Sequence, residues 1–341
     1  LTKIDLRSDT VTKPVPEMRE AIAQAEVGDD VYMEDHTIQK LQKTAADILG
    51  KESSLFVPSG SMGNQIAINV HTHPGDEVIL DSECHIFNYE MGAMSAVSGV
   101  LPQPIETSKK YLPVPQVKKK VKPEQYYYSN TALITVENTN NRRGGTVYPS
   151  DKKEELIDFA KERNIPVHLD GARIFNASIA TEKPVDKLVQ GFDSVMVSLS
   201  KGLGAPVGSI IAGSNILIEK ARRVRKILGG GMRQVGILGA AGLYALENHI
   251  DRLKKDHENA RILARSLEDL DRTEVNEPET NIVMLTLKEN SSDENEVVEK
   301  LKEKNILVGT MGPRRLRLVT HMGISEENVQ EAAEAIKNIL S

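Results

Sequence analysis

Ile165-Pro166-Val167-His168-Leu169-Asp170-Gly171-Ala172-Arg173 is a short apolar run that stops on a carboxylate and a glycine. A helical pattern over residues 152–163 precedes it. Its length and its flanking turn residues mark it as a buried strand. The same alternation recurs outward in both directions. Apolar runs at 54–57, 77–81, 133–137, 194–199 and 209–212 are separated by helical patterns and turn-rich segments. Strands that alternate with helices predict a mostly parallel sheet covered by helices on both faces. The fold class is therefore α/β.

The ends of the chain read differently. Residues 4–28 form an extended arm followed by a helix, punctuated by Pro14 and Pro16. Thr37 reads as the N-cap of a helix over 38–49, which Gly50 stops. A helix is expected near 87–98, and a long helical stretch over 236–270. Beyond it come a strand at 281–287, a helix at 294–304, strands at 306–309 and 316–320, and a last helix from Ser325. The expected division is a large unit over 1–250, including the arm, and a small C-terminal α+β unit over 251–341.

Composition narrows the function classes. Of 341 residues, 39% are hydrophobic, enough for a sizeable core. With 43 Lys and Arg against 49 Asp and Glu the net charge is −6, which gives no general attraction to nucleic acid. The basic clusters at 118–122 and 222–226 read as solvated faces. One cysteine, Cys84, excludes an internal disulfide and suits a reducing, cytoplasmic compartment. No zinc-ligand spacing, membrane-length apolar run or signal-peptide core is present, so no metal and no membrane partner are expected.

The chemistry-bearing residues sit where strands end. Asp170 closes one apolar run, and Lys201 follows another, Ser194-Val195-Met196-Val197-Ser198-Leu199-Ser200. In an open α/β sheet, ligands bind at the carboxyl ends of strands, so both residues face one crevice. A lysine amine can form a Schiff base with an aldehyde. A carboxylate opposite a pyridine nitrogen keeps that nitrogen protonated. Upstream, Pro58-Ser59-Gly60-Ser61-Met62-Gly63-Asn64 lies between a strand and a helix. Gly60 lets the backbone approach an anion, Ser59 and Ser61 add hydroxyls, and the helix offers free amides, which together read as a phosphate cup. His85, just past the run ending at Asp81, can stack on an aromatic ring.

These motifs, with Asp5-Leu6-Arg7-Ser8-Asp9-Thr10, Gly28-Asp29-Asp30-Val31-Tyr32, Glu137-Asn138-Thr139, Gly229-Gly230-Gly231-Met232-Arg233-Gln234 and Arg317-Leu318-Val319-Thr320-His321, span nearly the whole chain. In this order they resemble the threonine aldolases, fold-type I pyridoxal-phosphate enzymes within the β-eliminating lyase group. The resemblance implies a PLP-dependent transferase-like large domain and pyridoxal 5'-phosphate as cofactor. It implies cleavage of L-threonine or L-allo-threonine to glycine and acetaldehyde. β-Elimination or transamination on the same architecture is the alternative. It implies Lys201 as the Schiff-base lysine, Asp170 as the pyridine-nitrogen partner, His85 as the stacking residue, and Ser59, Gly60 and Ser61 at the phosphate. Ser8, Arg173 and Arg317 would bind the substrate carboxylate, with Arg173 near the cofactor. Arg233 would lie near the phosphate across a subunit boundary of a homotetramer, a dimer of dimers. Two positions depart from the pattern, Tyr127 and Asn140, where histidines are common. Tyr127 would then stand near the substrate's hydroxyl.

Overall fold

The computed structural model describes residues 3–289, 291 and 293–340, leaving Leu1 and Thr2 of the arm outside. In chain order the strands are β1 (Ile4–Asp5), β2 (Ser53–Val57), β3 (Glu77–Asp81), β4 (Leu101–Ile105), β5 (Thr131–Glu137), β6 (Val167–Asp170), β7 (Ser194–Ser198) and β8 (Ser209–Gly213), then β9 (Thr273–Val275), β10 (Ile282–Leu287), β11 (Ile306–Leu307), β12 (Gly309–Thr310) and β13 (Arg315–Val319). Seven of them form the central sheet, in the order β2-β8-β7-β6-β5-β3-β4. Every neighbouring pair from β7 to β4 is parallel, and β8 runs antiparallel between β2 and β7. The inner strands β3, β5, β6 and β7 are buried at every residue. That is what helices on both faces require, and it explains why these strands read as continuous apolar runs. β4 was hidden from pattern reading by Pro102 and Pro104. It pairs only with β3, and an edge is where a residue without an N–H is tolerated.

The chain carries two main cores. One joins the central sheet to its helices through residues such as Phe56, Ile134, Leu169 and Val195. The other gathers Leu263, Leu285, Leu301, Leu318 and Ile336 around the sheet β12-β13-β10-β9. The N-terminal arm, grouped above with the large unit, packs into this second core. β1 pairs in parallel with β11, and Ile4 and Leu6 are buried there. The long helical stretch is two helices, Gly236–Asn248 and Leu253–Leu267, and the break falls at 249–252. The helix expected near 87–98 is likewise two short ones, His85–Asn88 and Ala93–Ser98. Met91 and Gly92 between them adopt left-handed φ angles of 54° and 66°.

Two sequence expectations are corrected by hydrogen bonding. The N-cap of helix His36–Leu49 is Asp35, whose Oδ1 accepts from the Ile38 N–H at 2.9 Å. Thr37 instead donates to the Glu26 carbonyl. The other Asp35 oxygen accepts from the Gly236 N–H at 2.8 Å, so this carboxylate ties two helix starts together. The basic cluster at 222–226 is not all solvated. Arg225 is buried, donating to Asp30 at 2.7 Å and to the Phe56 carbonyl at 2.9 Å.

Asp35→Ala removes both carboxylate contacts and is expected to cost about 2–3 kcal/mol in urea unfolding. Thr37→Ala should stay within about 1 kcal/mol of wild type. The reverse ranking would restore Thr37 as the cap.

Candidate active site

The parallel strands deliver their functional residues at one sheet edge. Asp170 is the last residue of β6, Lys201 follows β7 by three positions, His85 follows β3 by four, and Ser59 to Ser61 follow β2. They meet around a cavity of about 310 Å³ whose walls include Ser8, Gly60, His85, Asp170, Lys201 and Arg317. Gly60 opens the twelve-residue helix Gly60–His71, and Ser59 caps it by accepting from the Met62 N–H. The helix start lies hard against Met196 of β7. A Cβ on Gly63 would fall 2.7 Å from the Met196 Cγ, so glycine is what this approach permits.

Charges crowd the cavity. The Lys201 amine has no hydrogen-bond or ion-pair partner among the described residues. Burial lowers its pKa, and the Arg173 charge lowers it further, against the opposing pull of Asp9, Asp170 and Glu137. Asp170 accepts from Asn64 Nδ2 at 2.9 Å and from the Ala172 N–H at 3.1 Å. His85 Nδ1 lies 3.1 Å from the buried Glu90 carboxylate. Desolvation opposes protonation of this imidazole, but the Glu90 hydrogen bond and the Asp170 charge outweigh it and raise its pKa. The Glu137 carboxyl is pushed up to about 7, by burial first and by the Asp170 charge second. It accepts from the backbone N–H groups of His85 and Asn141, at 2.6 and 2.8 Å, and so fixes two loops to each other.

The arm closes the cavity. Ser8 lines it, and Thr12 Oγ1 donates to the Lys201 carbonyl at 2.9 Å. Asp9 receives Arg173 through two parallel bonds, Nη2 to Oδ1 at 2.7 Å and Nε to Oδ2 at 2.8 Å. Burial alone would raise the Asp9 carboxyl. The Arg173 charge and hydrogen bonds overcome this and hold it well below the usual carboxylate range. Arg317 donates to Asn141 Oδ1 at 2.8 Å and to the Arg7 carbonyl at 2.9 Å, while its Nε is buried without a partner among the described residues. Desolvation, then the nearby Arg173, lowers the Arg317 pKa to about 10.

Of the residues singled out in the sequence, Ser8, Gly60, Ser61, His85, Asp170, Arg173, Lys201 and Arg317 line this one cavity, and Ser59 adjoins it as the helix cap. Three others, Tyr127, Arg233 and Asn140, do not line it within the chain. Tyr127 lies before β5, at the opposite end of the strand from the site, and is 62% exposed in a turn. Arg233 has a side chain 82% exposed, 4.0 Å from Asp29. Asn140 accepts from the Arg143 N–H and serves its own turn. The sequence reading assigned no role to Asp9, Asn64, Glu90, Glu137 or Asn141. Asp9, Asn64 and Glu137 stood inside motifs quoted above, but nothing local said which distant partner each would meet. Glu90 carried no signal at all.

The donor set matches a small molecule with a carbonyl carbon, a basic ring nitrogen and a phosphate. A half-buried amine with no partner among the described residues, a carboxylate and a serine-flanked helix start supply one contact type for each part, and an imidazole adds a flat face for the ring.

The chain matches the beta-eliminating lyase family model over residues 5–290. It is 43% identical over 336 residues to low-specificity L-threonine aldolase 1 of Arabidopsis thaliana, covering 96% of this chain and 94% of that protein. It is 41% identical over 331 residues to the low specificity L-threonine aldolase of Escherichia coli strain K12, covering 97% of each. The solved structure of Leishmania major threonine aldolase shares the fold, with a TM-score of 0.86 at 20% identity, over 99% of this chain and all of that one.

Asp9→Asn leaves Arg173 buried without a counter-charge, and unfolding free energy at neutral pH should fall by about 3–5 kcal/mol. The folded Asp9 pKa lies below its unfolded value, so its contribution is complete above about pH 4 and fades as pH falls through the folded value. The gap between wild type and variant should therefore narrow when denaturant curves are taken from about pH 6 toward about pH 2. A gap that does not change over this range would show that the pair's charge is not what stabilises it.

Proposed function

This chain belongs to the beta-eliminating lyase family, among the low-specificity threonine aldolases, and on that premise we propose that it cleaves L-threonine and L-allo-threonine to glycine and acetaldehyde with pyridoxal 5'-phosphate as cofactor. The observation that carries the reading is the Lys201 amine, half-buried, without a partner among the described residues and lowered in pKa, in one cavity with Asp170 and Arg317. When bound, the cofactor supplies a cationic ring that accepts the electrons of the breaking Cα–Cβ bond.

The chain's own residues then have separate tasks. Lys201 holds the cofactor's carbonyl carbon, and its lowered pKa increases the fraction of neutral, nucleophilic amine. Asp170 holds a proton on the ring nitrogen by close charge pairing. Ser59, Gly60 and Ser61, with the helix Gly60–His71 behind them, receive the phosphate. Arg317 and Ser8 bind the substrate carboxylate. Arg173, committed to Asp9 through two nitrogens, adds its charge and keeps Nη1 toward Asn141. Holding the carboxylate would fix how the Cα bonds are presented to the cofactor, and so would select which of them breaks. His85 would stack on the ring, and with Nδ1 bound to Glu90 it would use its other nitrogen to exchange the proton of the substrate's β-hydroxyl.

Arg233 fits this scheme from a neighbouring copy in a homotetramer, a pair of dimers. The exposed apolar side chains Val31, Tyr32, Met33 and Ile227, near the same segment, support such an interface. A cytoplasmic setting suits a chain whose one cysteine is buried and reduced.

Threonine turnover should release glycine and acetaldehyde in equal amounts, and ammonia with a keto acid would overturn the assignment. Lys201→Ala should lose all borohydride-fixed cofactor while still binding it through the phosphate. Retained fixation would mean another lysine does this work. Asp170→Ala should lower kcat about a hundredfold or more, roughly 3 kcal/mol, with cofactor saturating. Light scattering should find the active species larger than a monomer.

A further inference from the structure

A line of polar side chains, buried except for the half-buried His71 at its outer end, runs behind Asp170, and none of the roles above uses it. Asn64 and His71 lie seven residues apart on helix Gly60–His71, so they share a face. His168 and Asp170 lie two apart on β6 and also share a face. Ser194 is the register partner of His168 on β7. The fold thus stacks His71, Ser194, His168, Asn64 and Asp170 in sequence, with gaps of 3.0, 2.9, 3.1 and 2.9 Å.

The hydrogens in this line have one consistent arrangement. Asn64 Nδ2 contacts two carboxylates, Asp170 Oδ2 and Glu90 Oε1, each at 2.9 Å. Carboxylates accept, so the amide nitrogen must face them and Oδ1 must face His168. His168 Nε2 therefore carries a proton. Burial lowers the His168 pKa to about 3, so the ring is neutral and its Nδ1 is bare. Ser194 donates its hydroxyl to Nδ1, and its lone pair accepts from His71 Nε2. Every bond points the same way, toward Asp170. His71, at the outer end, lines a second cavity with Lys51, Asp193 and Lys220, at the end of the strands opposite the active site.

We propose that Asn64 and His168 are positioning residues that orient the Asp170 carboxylate, and that Asn64 couples it to the Glu90–His85 pair so that the cofactor's two ring contacts are held as one unit. This rests on the cofactor reading above. Packing alone does not call for such a line, since apolar side chains would fill the space without the demand that every polar atom be paired. Asn64 and His168 carry no charge, so they hold Asp170 by directed dipoles and leave its negative charge for the ring nitrogen. With the His168 donor gone, Asn64 is free to turn its oxygen toward Asp170. That weakens the ionised carboxylate and with it the protonated ring.

The test uses the holoenzyme and its visible absorption band, titrated with pH. A less protonated ring draws less electron density from the lysine-linked nitrogen, so in His168→Leu the band's pH midpoint should rise by about half a unit or more. Its kcat should fall about tenfold, with KM within about twofold. His168→Gln, whose amide can still donate to Asn64, should recover most of both. Ser194→Ala, a small change that decides the matter where His168→Leu does not fold, should move the midpoint in the same direction by less. An unmoved midpoint in folded His168→Leu or Ser194→Ala overturns the proposal. So does equal loss in the Leu and Gln variants, which would mark a purely structural histidine. Wild type without a visible band would sink the cofactor reading itself. A normal wild-type band with unmoved variants would sink only the positioning roles.

Discussion

The buried pair between Asp9 and Arg173 is the contact on which the rest of the site depends. Removing both charges from water costs several kcal/mol for each, and a pair in such surroundings is tolerated only with good geometry and satisfied neighbours. Both conditions hold. The bonds are bidentate, Asn141 stands at the third guanidinium nitrogen, and Asn281 lies 3.4 Å from the Asp9 carboxylate. Four parts of the chain meet here: the N-terminal arm, the loop after β5, the turn after β6, and the start of β10. Arg173 is three residues beyond Asp170, so anchoring one steadies the turn that carries the other.

Convergence of the site follows from sheet polarity. Strands that all run the same way end on the same edge, so residues distant in sequence arrive together: Ser61, His85, Asp170 and Lys201. The C-terminal unit adds Arg317 from β13, and the arm adds Ser8. The arm is stitched to that unit by the β1–β11 pairing and by the Val319 N–H bond to the Leu6 carbonyl. Ser8 and Arg317 are thus held on one frame, and Lys201 and Asp170 on another. Asp9–Arg173 and Thr12–Lys201 join the two frames.

Electrostatics inside this enclosure are collective. Lys201, Arg173 and Arg317 lie among Asp9, Asp170, Glu90 and Glu137 in an enclosed, low-dielectric setting, so each charge acts strongly on its neighbours. The donor atoms of His85, Glu90 and Asp170 all lie within 4.8 Å of one another. Glu137, with its carboxyl pushed up to about 7, and Lys201, with its ammonium lowered, are shifted in opposite senses of charge, toward their neutral forms. A cavity poised in this way can take up or release a proton at modest cost. That is the condition for acid–base work near neutral pH.

The sequence by itself determined the α/β class, most strands of the central sheet and the residues that close them, because apolar periodicity and turn chemistry are written within a few residues of each position. It also singled out Lys201, Asp170, His85 and the Ser59–Gly60–Ser61 turn, which follow strands whose ends meet at one cavity. The tertiary structure alone decided who pairs with whom. Asp9 finds Arg173 across 164 positions, and Asn64 finds Asp170 across 106. It decided that the arm belongs with the C-terminal core, that Arg225 is buried, and that Tyr127 stands outside the cavity of its own chain. Local pattern carries the direction in which a side chain points along its own element. The partner waiting there is supplied by another element, whose position depends on packing throughout the fold.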